Sequence, residues 1–426
     1  MGAGDVQVVL VDDHTAAQAS SLDALAAEWR NAPRRWGHPL HSLCSYFAMF
    51  PPHVPRVFIE WLTSAGDVVF DPFSGRGTAP MEACRLGRVG LGSDANPLAY
   101  VLTGAKVNPP SVEQVSARVE ELRASMPACG RCTAPDAISM LYSPKVLRQL
   151  CWLRGVLDID DRTDRFVMST ILGLLHANYK PGAPARGLSI SMPNTFSMSP
   201  GYVRRYIEEH ELQPPDVDVF DMVRRKAERM AIPRATARRG RAWNADAREL
   251  GSLREGPAKL VFTSPPYLGV IKYGKYNWIR LWMLGHKPRE VDDQLVATAS
   301  LRRYLDFMAE VLDGLSAAVT LNGFVCLMIG DVRDKTSGST INLAETVWQN
   351  TALPRGWRRL GVLNDHLPQQ HKVSRIWGHT KKGHATKVDR ILILAPPGSK
   401  HHLPPPRQGF DWNSPNTWAG SPAEES

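Results

Sequence analysis

The stretch Asp67-Val-Val-Phe-Asp71-Pro-Phe-Ser-Gly75-Arg-Gly77-Thr78, continuing through Ala79–Leu86 and Gly87 to Val89-Gly-Leu-Gly-Ser93-Asp94, decides the fold. Asp67–Asp71 reads as a short buried strand. It runs straight into a turn of small residues. Glycines at 75 and 77 let the backbone turn sharply and come close to a ligand. Thr78 is placed to cap a helix over Ala79–Leu86, and Gly87 ends it. Val89–Ser93 is a second strand, closed by Asp94. Strand, glycine turn, helix, strand, acid is the layout of a nucleotide-type βαβ unit, whose acid accepts hydrogen bonds from ribose hydroxyls. The Gly-Lys-Ser/Thr ending of a phosphate-binding P-loop is absent.

Working outward, residues 1–35 carry one short Ala-rich helix around Ser21–Arg30, and Val57–Thr63 has helical character. Between Pro109 and Gly240 the pattern is largely helical, broken by Lys180-Pro-Gly-Ala-Pro184 and Gln213-Pro-Pro215. A basic cluster closes it: Arg224, Arg225, Lys226, Arg229, Arg234, Arg238, Arg239 and Arg241. The alternation then resumes, with strands expected at Arg241–Asp246, Lys259–Thr263, Phe324–Ile329, Arg358–Leu363 and Asp389–Leu394. Helices are expected at Tyr273–Leu284, Leu301–Leu315 and Leu343–Asn350. This rhythm predicts an α/β fold with a mostly parallel sheet. The last two strands, joined by a polar loop without a helix, read as an antiparallel pair at one edge. The expected organisation is an extension over 1–39, a main domain from 40–109 and 241–398, an inserted helical module over 110–240, and a tail over 399–426.

The 426 residues, 43% hydrophobic and 22% charged, fit a soluble globular protein. Their number exceeds what a single core of ~250–300 residues holds. No apolar run approaches the ~20 residues that span a bilayer, and the first residues lack a secretory pattern, so a cytoplasmic location is expected. The net charge of +9 favours a polyanionic partner. Six scattered cysteines read as reduced thiols. The single Cys129-x-x-Cys132 has no second pair, so no metal site is expected.

A second constellation follows the apolar run Lys259–Phe262: Thr263-Ser264-Pro265-Pro266-Tyr267. Consecutive prolines hold the backbone rigid and cannot donate hydrogen bonds, which fixes the direction of their carbonyls. Tyr267 offers a flat face for stacking. Taken alone, Pro-Pro-Tyr reads more readily as a packed strand end, and a lone Gly-x-Gly is weak because many tight turns contain it.

Together, in this order, the two stretches resemble the S-adenosylmethionine-dependent DNA amino-methyltransferases, the cytosine-N4 and adenine-N6 family. Asp71-Pro-Phe73-Ser-Gly75-Arg-Gly77-Thr78 is similar to that family's cofactor motif, and Ser45-Tyr-Phe-Ala-Met-Phe50-Pro51-Pro52 to the segment before its first strand. Asp94-Ala-Asn-Pro97 resembles its ribose-binding turn, and Ser264-Pro-Pro-Tyr267 its catalytic motif. The resemblance implies a class I Rossmann-like methyltransferase with a mostly parallel seven-stranded sheet and an antiparallel edge strand. It implies that Asp71, Phe73, Gly75, Gly77, Thr78 and Asp94 serve the cofactor site, that Phe50 and Pro51 line its methionine end, and that Asp246 lies near the adenine. Ser264, Pro265, Pro266 and Tyr267 would hold a base turned out of the duplex, since its amine is otherwise engaged in pairing. Met49 stands where the family often has Lys. The serine variant goes more often with cytosine-N4, and Asp or Asn with adenine-N6.

For the nucleic acid, Lys272-Tyr-Gly-Lys275-Tyr-Asn-Trp-Ile-Arg280 interleaves cations and aromatics, with Lys272 and Lys275 expected outside and Trp278, Leu281 and Trp282 inside. The loop His371–His384 offers Arg375, Lys381 and Lys382. The polar stretch Ser189–Tyr202 in the insert is a further candidate for target contact. The expectation is a site-specific DNA methyltransferase, with a cognate restriction endonuclease as a candidate partner. The alternatives are an adenine-N6 enzyme, an RNA amino-methyltransferase, and a non-catalytic nucleic-acid-binding module on the same scaffold. Only about 40 residues precede the cofactor half, fewer than a typical RNA-binding domain needs.

Overall fold

The computed structural model describes residues 8–9, 25, 28–29, 37–46, 50–128, 132–178, 183–192, 198–230, 232, 240–250, 256–266, 268, 272–296, 298–333, 338–366, 388–407, 409–410 and 412. Its strands are β1 (Val8–Val9), β2 (Val68–Asp71), β3 (Val89–Ser93), β4 (Arg241–Trp243), β5 (Ala258–Thr263), β6 (Val319–Gly330), β7 (Val332–Arg333), β8 (Thr340–Ile341), β9 (Arg358–His366) and β10 (Val388–Ala395). Eight form one sheet in the order β1-β9-β10-β6-β5-β2-β3-β4, and β7 and β8 form a small ribbon. The pairs β4–β3, β3–β2, β2–β5 and β5–β6 are parallel, whereas β10 runs antiparallel to both β6 and β9. The expected antiparallel pair is present, and β1 adds two residues beyond it.

The chain winds from β2 outward to β3 and β4, then returns to β5 on the other side of β2. The reversal makes a topological switch point between the carboxyl ends of β2 and β5, where open α/β sheets hold ligands. The register Val69↔Leu260 and Phe70↔Val261 brings Asp71 and Thr263 to the same rim. Thr263 Oγ1 donates to Asp71 Oδ1 at 2.6 Å and ties the two strand ends together.

Helices cover both faces. On one, α1 (His53–Leu62) and α2 (Thr78–Arg85) pack Phe58, Ile59, Ala79 and Ala83 onto Val69, Leu260 and Phe262. Leu25 and Trp29, the described buried part of the expected Ser21–Arg30 helix, join this layer. On the other face, the helix Leu301–Ala318 packs Phe307, Met308, Val311 and Leu315 against Val261, Val325 and Leu327. Gly90 in β3 is required by close contact: a Cβ there would lie 2.0 Å from the Pro80 carbonyl oxygen of α2.

After α3 (Pro97–Val107), the insert forms α4 (Val112–Ser125), α5 (Asp136–Ser139), α6 (Pro144–Val156), α7 (Arg162–Leu172), α8 (Pro200–Glu209) and α9 (Val219–Glu228). Its apolar residues share one cluster with α3 and with Trp278, Ile279 and Leu281 downstream of the Pro-Pro loop. Two expectations are corrected. The single helix over Tyr273–Leu284 is α10 (Tyr273–Tyr276) and α11 (Trp278–Leu284), separated at Asn277. Asn277 has a non-helical backbone, and its amide donates to the Tyr273 carbonyl. The cysteines are not all reduced: Cys132 and Cys151 form a disulfide, because the segment after α4 returns alongside α6 and brings the Cα atoms to 5.6 Å. Cys44, Cys84 and Cys326 are free and buried. Among the described residues no helix is long and apolar enough to cross a membrane, and no His/Cys/Asp/Glu cluster suits a metal ion.

Candidate active site

The turn after β2 is shaped by its glycines, each for a different reason. Gly75 takes φ +51°, and a Cβ there would meet the Tyr46 ring at 3.4 Å. Gly77 takes φ +77°, and its Cβ would lie 2.9 Å from the Thr103 Cα of α3. Gly77 therefore serves close helix packing and does not reach the cavity, although a cofactor contact was expected of it. Gly77 also occupies the cap position of α2. Thr78, expected to be the cap, is the first helical residue, and its Oγ1 accepts from Arg76 Nε at 3.3 Å. The Arg76 guanidinium reaches back to the His41 carbonyl, and Lys106 Nζ donates to the Arg76 carbonyl at 2.7 Å, so the turn is pinned on two sides.

Asp94 stands at the end of β3. Its Oδ2 accepts from the Gly75 amide and its Oδ1 from the Asn96 amide, both at 2.9 Å. Each oxygen keeps a lone pair for a further donor. Burial raises this carboxyl to about 6, against the pull of those two amides. Burial likewise raises Asp71 to about 7, opposed by the Thr263 hydroxyl and the Phe73 amide. Asp71 Oδ2 is buried with no hydrogen-bond partner among the described residues.

On the other side of the switch point, Ser264 leaves β5 with its hydroxyl donating to the Met328 carbonyl of β6 at 3.1 Å. That bond consumes the proton and leaves the oxygen as an acceptor. Pro265 is buried beneath the loop, while Ser264 and Pro266 are half-buried.

One cavity of about 110 Å³ joins the two sides. Phe50, Phe73, Gly75, Thr78, Asp94, Asp246, Ser264 and Pro266 line it, all from the expected site. The expected Pro51, Asp71, Gly77 and Pro265 do not reach its wall: Pro51 is exposed, and the other three lie under the surface. Tyr267, Arg375, Lys381 and Lys382 lie outside the described residues, as does 193–197 of the insert stretch. Lys272 and Lys275 are exposed, and Trp278 and Leu281 are buried. Asp246 faces the cavity with its carboxylate engaged by Arg248, which accounts for its lowered pKa. Tyr46, Asn96, Tyr273, Leu295, Val296 and Phe307 also line the wall and were not singled out from the sequence. Asn96 was within the quoted Asp94–Pro97 turn. Phe307 carries no local signal beyond helical periodicity.

The residues present fit a nucleoside with a charged, partly apolar tail. A left-handed glycine makes room, an acid offers lone pairs at the strand end, and Phe50, Phe73 and Phe307 supply apolar walls. Phe50 packs edge-on against Phe262, ring centroids 5.5 Å apart, and docks its segment onto β5.

Strand order, antiparallel strand and switch-point cavity define a Rossmann-like α/β fold. Residues 18–102, which include the glycine turn and Asp94, match the family model described as DNA methylase, N6_N4_Mtase. Over those residues the chain is similar to the N6/N4 DNA methylases. No curated protein matches the chain. Among solved structures, TrmN from Thermus thermophilus is similar at 12% identity and TM-score 0.31, over 84% of this chain and 52% of that one, so this chain spans about half its length. The rRNA methyltransferase aviRa from Streptomyces viridochromogenes is similar at 12% identity and TM-score 0.33, over 83% and 91%. TTHA0409 from Thermus thermophilus, a putative DNA modification methylase complexed with S-adenosyl-L-methionine, is similar at 20% identity and TM-score 0.24, over 40% and 56%.

Proposed function

We propose that this enzyme methylates the exocyclic amine of a base turned out of DNA, with cytosine N4 as the target atom. The observation that carries the reading is the single cavity uniting the Gly75–Asp94 side with the Ser264–Pro266 side across the switch point. Gly75, Thr78, Asp94, Phe50 and Phe73 would hold the cofactor, with Asp246 at its far end. When bound, it supplies an electrophilic methyl group. The chain's residues then have one task, to aim an amine at that methyl.

Ser264 Oγ is suited to this task because its proton is committed to the Met328 carbonyl. It accepts an N–H of the base amine and so turns the nitrogen lone pair away from the ring. The rigid Pro265-Pro266 backbone offers a carbonyl for the second N–H. Positioning of this kind supplies several kcal/mol of barrier lowering without a covalent intermediate. Lys272 and Lys275 are exposed, which supports a role for them in phosphate contact. The net charge of +9 supports a polyanionic substrate.

The test is nucleoside mass spectrometry after incubation of duplex DNA, or RNA, with cofactor carrying a deuterated methyl group. Labelled N4-methyldeoxycytidine is the expected product. Label appearing only in N6-methyladenine overturns the choice of base, and label appearing only in RNA overturns the choice of nucleic acid.

A further inference from the structure

Two tyrosines stack together at the cavity wall, one from before the glycine turn and one from beyond the Pro-Pro loop. Tyr46 and Tyr273 stack with ring centroids 6.0 Å apart and planes 26° from parallel. Tyr46 touches the place a Gly75 Cβ would take, and its hydroxyl accepts from Asn96 Nδ2 at 3.0 Å. Asn96 is the residue whose amide also holds Asp94. Accepting that bond leaves the Tyr46 O–H free to donate. No group among the described residues hydrogen-bonds the Tyr273 hydroxyl. Burial, and then the neighbouring Asp94, raise the Tyr46 phenol well above its usual range, so it stays a donor. Burial and Asp94 also raise Tyr273.

The pair is held from outside the cavity. The Gly274 and Lys275 amides donate to the Asp292 carboxylate at 2.7 and 3.0 Å. A Cβ on Gly274 would lie 2.0 Å from the Pro288 carbonyl oxygen, so the short helix after Tyr273 sits hard against the segment bearing Asp292. Arg280 bridges the two sides, donating to Ser45 Oγ and to Asn277 Oδ1, both at 2.8 Å.

We propose that Tyr46 and Tyr273 form an aromatic clasp over the nucleoside end of the cofactor, and that Asp292 is the positioning residue that sets it. The nucleoside end is assigned because the pair adjoins Asp94, the acid read as the ribose acceptor, while Ser264 would face the transferred methyl. This inference rests on the reading of the cavity as the cofactor site.

Calorimetric titration of the full chain with S-adenosylmethionine, and with adenosine as competitor, tests it. Tyr273→Ala is expected to weaken both ligands by roughly tenfold, the range of a lost aromatic contact. Tyr273→Phe keeps the ring and is expected to stay within about threefold. Asp292→Asn preserves shape and removes the charge, and is expected to weaken the cofactor severalfold. In the Asp292→Asn/Tyr273→Ala double variant the loss is expected to be no greater than in Tyr273→Ala alone, because residues acting through one another are not additive. Parental affinity in Asp292→Asn overturns the clasp even where Tyr273→Ala fails to fold, and so does strict additivity. Asp94→Asn, run alongside, separates the two readings. If it loses the cofactor while Tyr273→Ala and Asp292→Asn bind as the parent does, the clasp fails and the cavity reading stands. If Asp94→Asn itself binds as the parent does, both fail.

Discussion

Asp94 shows how burial and function pull against each other in one side chain. Its carboxyl is raised to about 6, so it is ionised only above that value. An acid that accepts from hydroxyl donors needs its lone pairs, so cofactor affinity is expected to hold above about pH 7 and to fall as pH drops through about 6. Calorimetry across that interval checks it, and Asp94→Asn is expected to be weak and flat. Asp71, raised to about 7, gives a stability consequence of opposite direction. A carboxyl whose folded pKa exceeds its unfolded value contributes stability that is present below the ordinary carboxylate range and is lost as pH rises through about 7. Asp71→Asn is therefore expected to lose less stability than the parent between about pH 5 and 8, measured by urea unfolding. Both acids were legible in the sequence as strand-end carboxylates. What pressed on the neighbouring glycines was not: Gly75 answers to Tyr46, from a segment about 30 residues earlier, and Gly77 to Thr103 of α3.

At the scale of elements, α2 carries the glycine turn and is anchored by a buried charge cluster. Glu82 is fully buried, with Arg85 Nη1 at 2.8 Å and His41 Nε2 at 2.7 Å. Burial alone would raise this acid, yet Arg85, His41 and Arg56 outweigh it and hold it at about 2. Burial drives His41 to about 4, so the histidine is neutral at pH 7 and donates as an imidazole. Glu82→Ala is expected to cost about 3–5 kcal/mol in urea unfolding, because it removes the buried carboxylate that Arg85 and His41 both bond. Periodicity found the strands and long helices of the sheet, since their apolar residues repeat at a fixed interval. It merged α10 with α11, because Asn277 interrupts the backbone without interrupting the apolar pattern. The Asp292 bonds to Gly274 and Lys275, 18 and 17 residues away, have no local signature either.

At the scale of the whole molecule, the order of two motifs was enough to indicate the sheet. A strand ending in a glycine turn and a later strand ending in Pro-Pro must adjoin if both serve one crevice, and the sheet places β2 beside β5. The disulfide was not legible, since Cys132 and Cys151 meet only through the packing of the insert. Because one cavity draws on both halves, cofactor at a hundredfold excess over its Kd is expected to add about 2.7 kcal/mol to the stability of the folded chain. Thermal unfolding with and without S-adenosylmethionine checks this.

In the proposed reaction Ser264 acts on the base and not on the cofactor. Cofactor affinity and single-turnover methyl transfer to DNA, measured on the same Ser264→Ala sample, test that division directly. The expected result is affinity within about twofold of the parent, with transfer slowed by roughly a hundredfold or more. Transfer at the parental rate, or loss of the cofactor together with the activity, would contradict it.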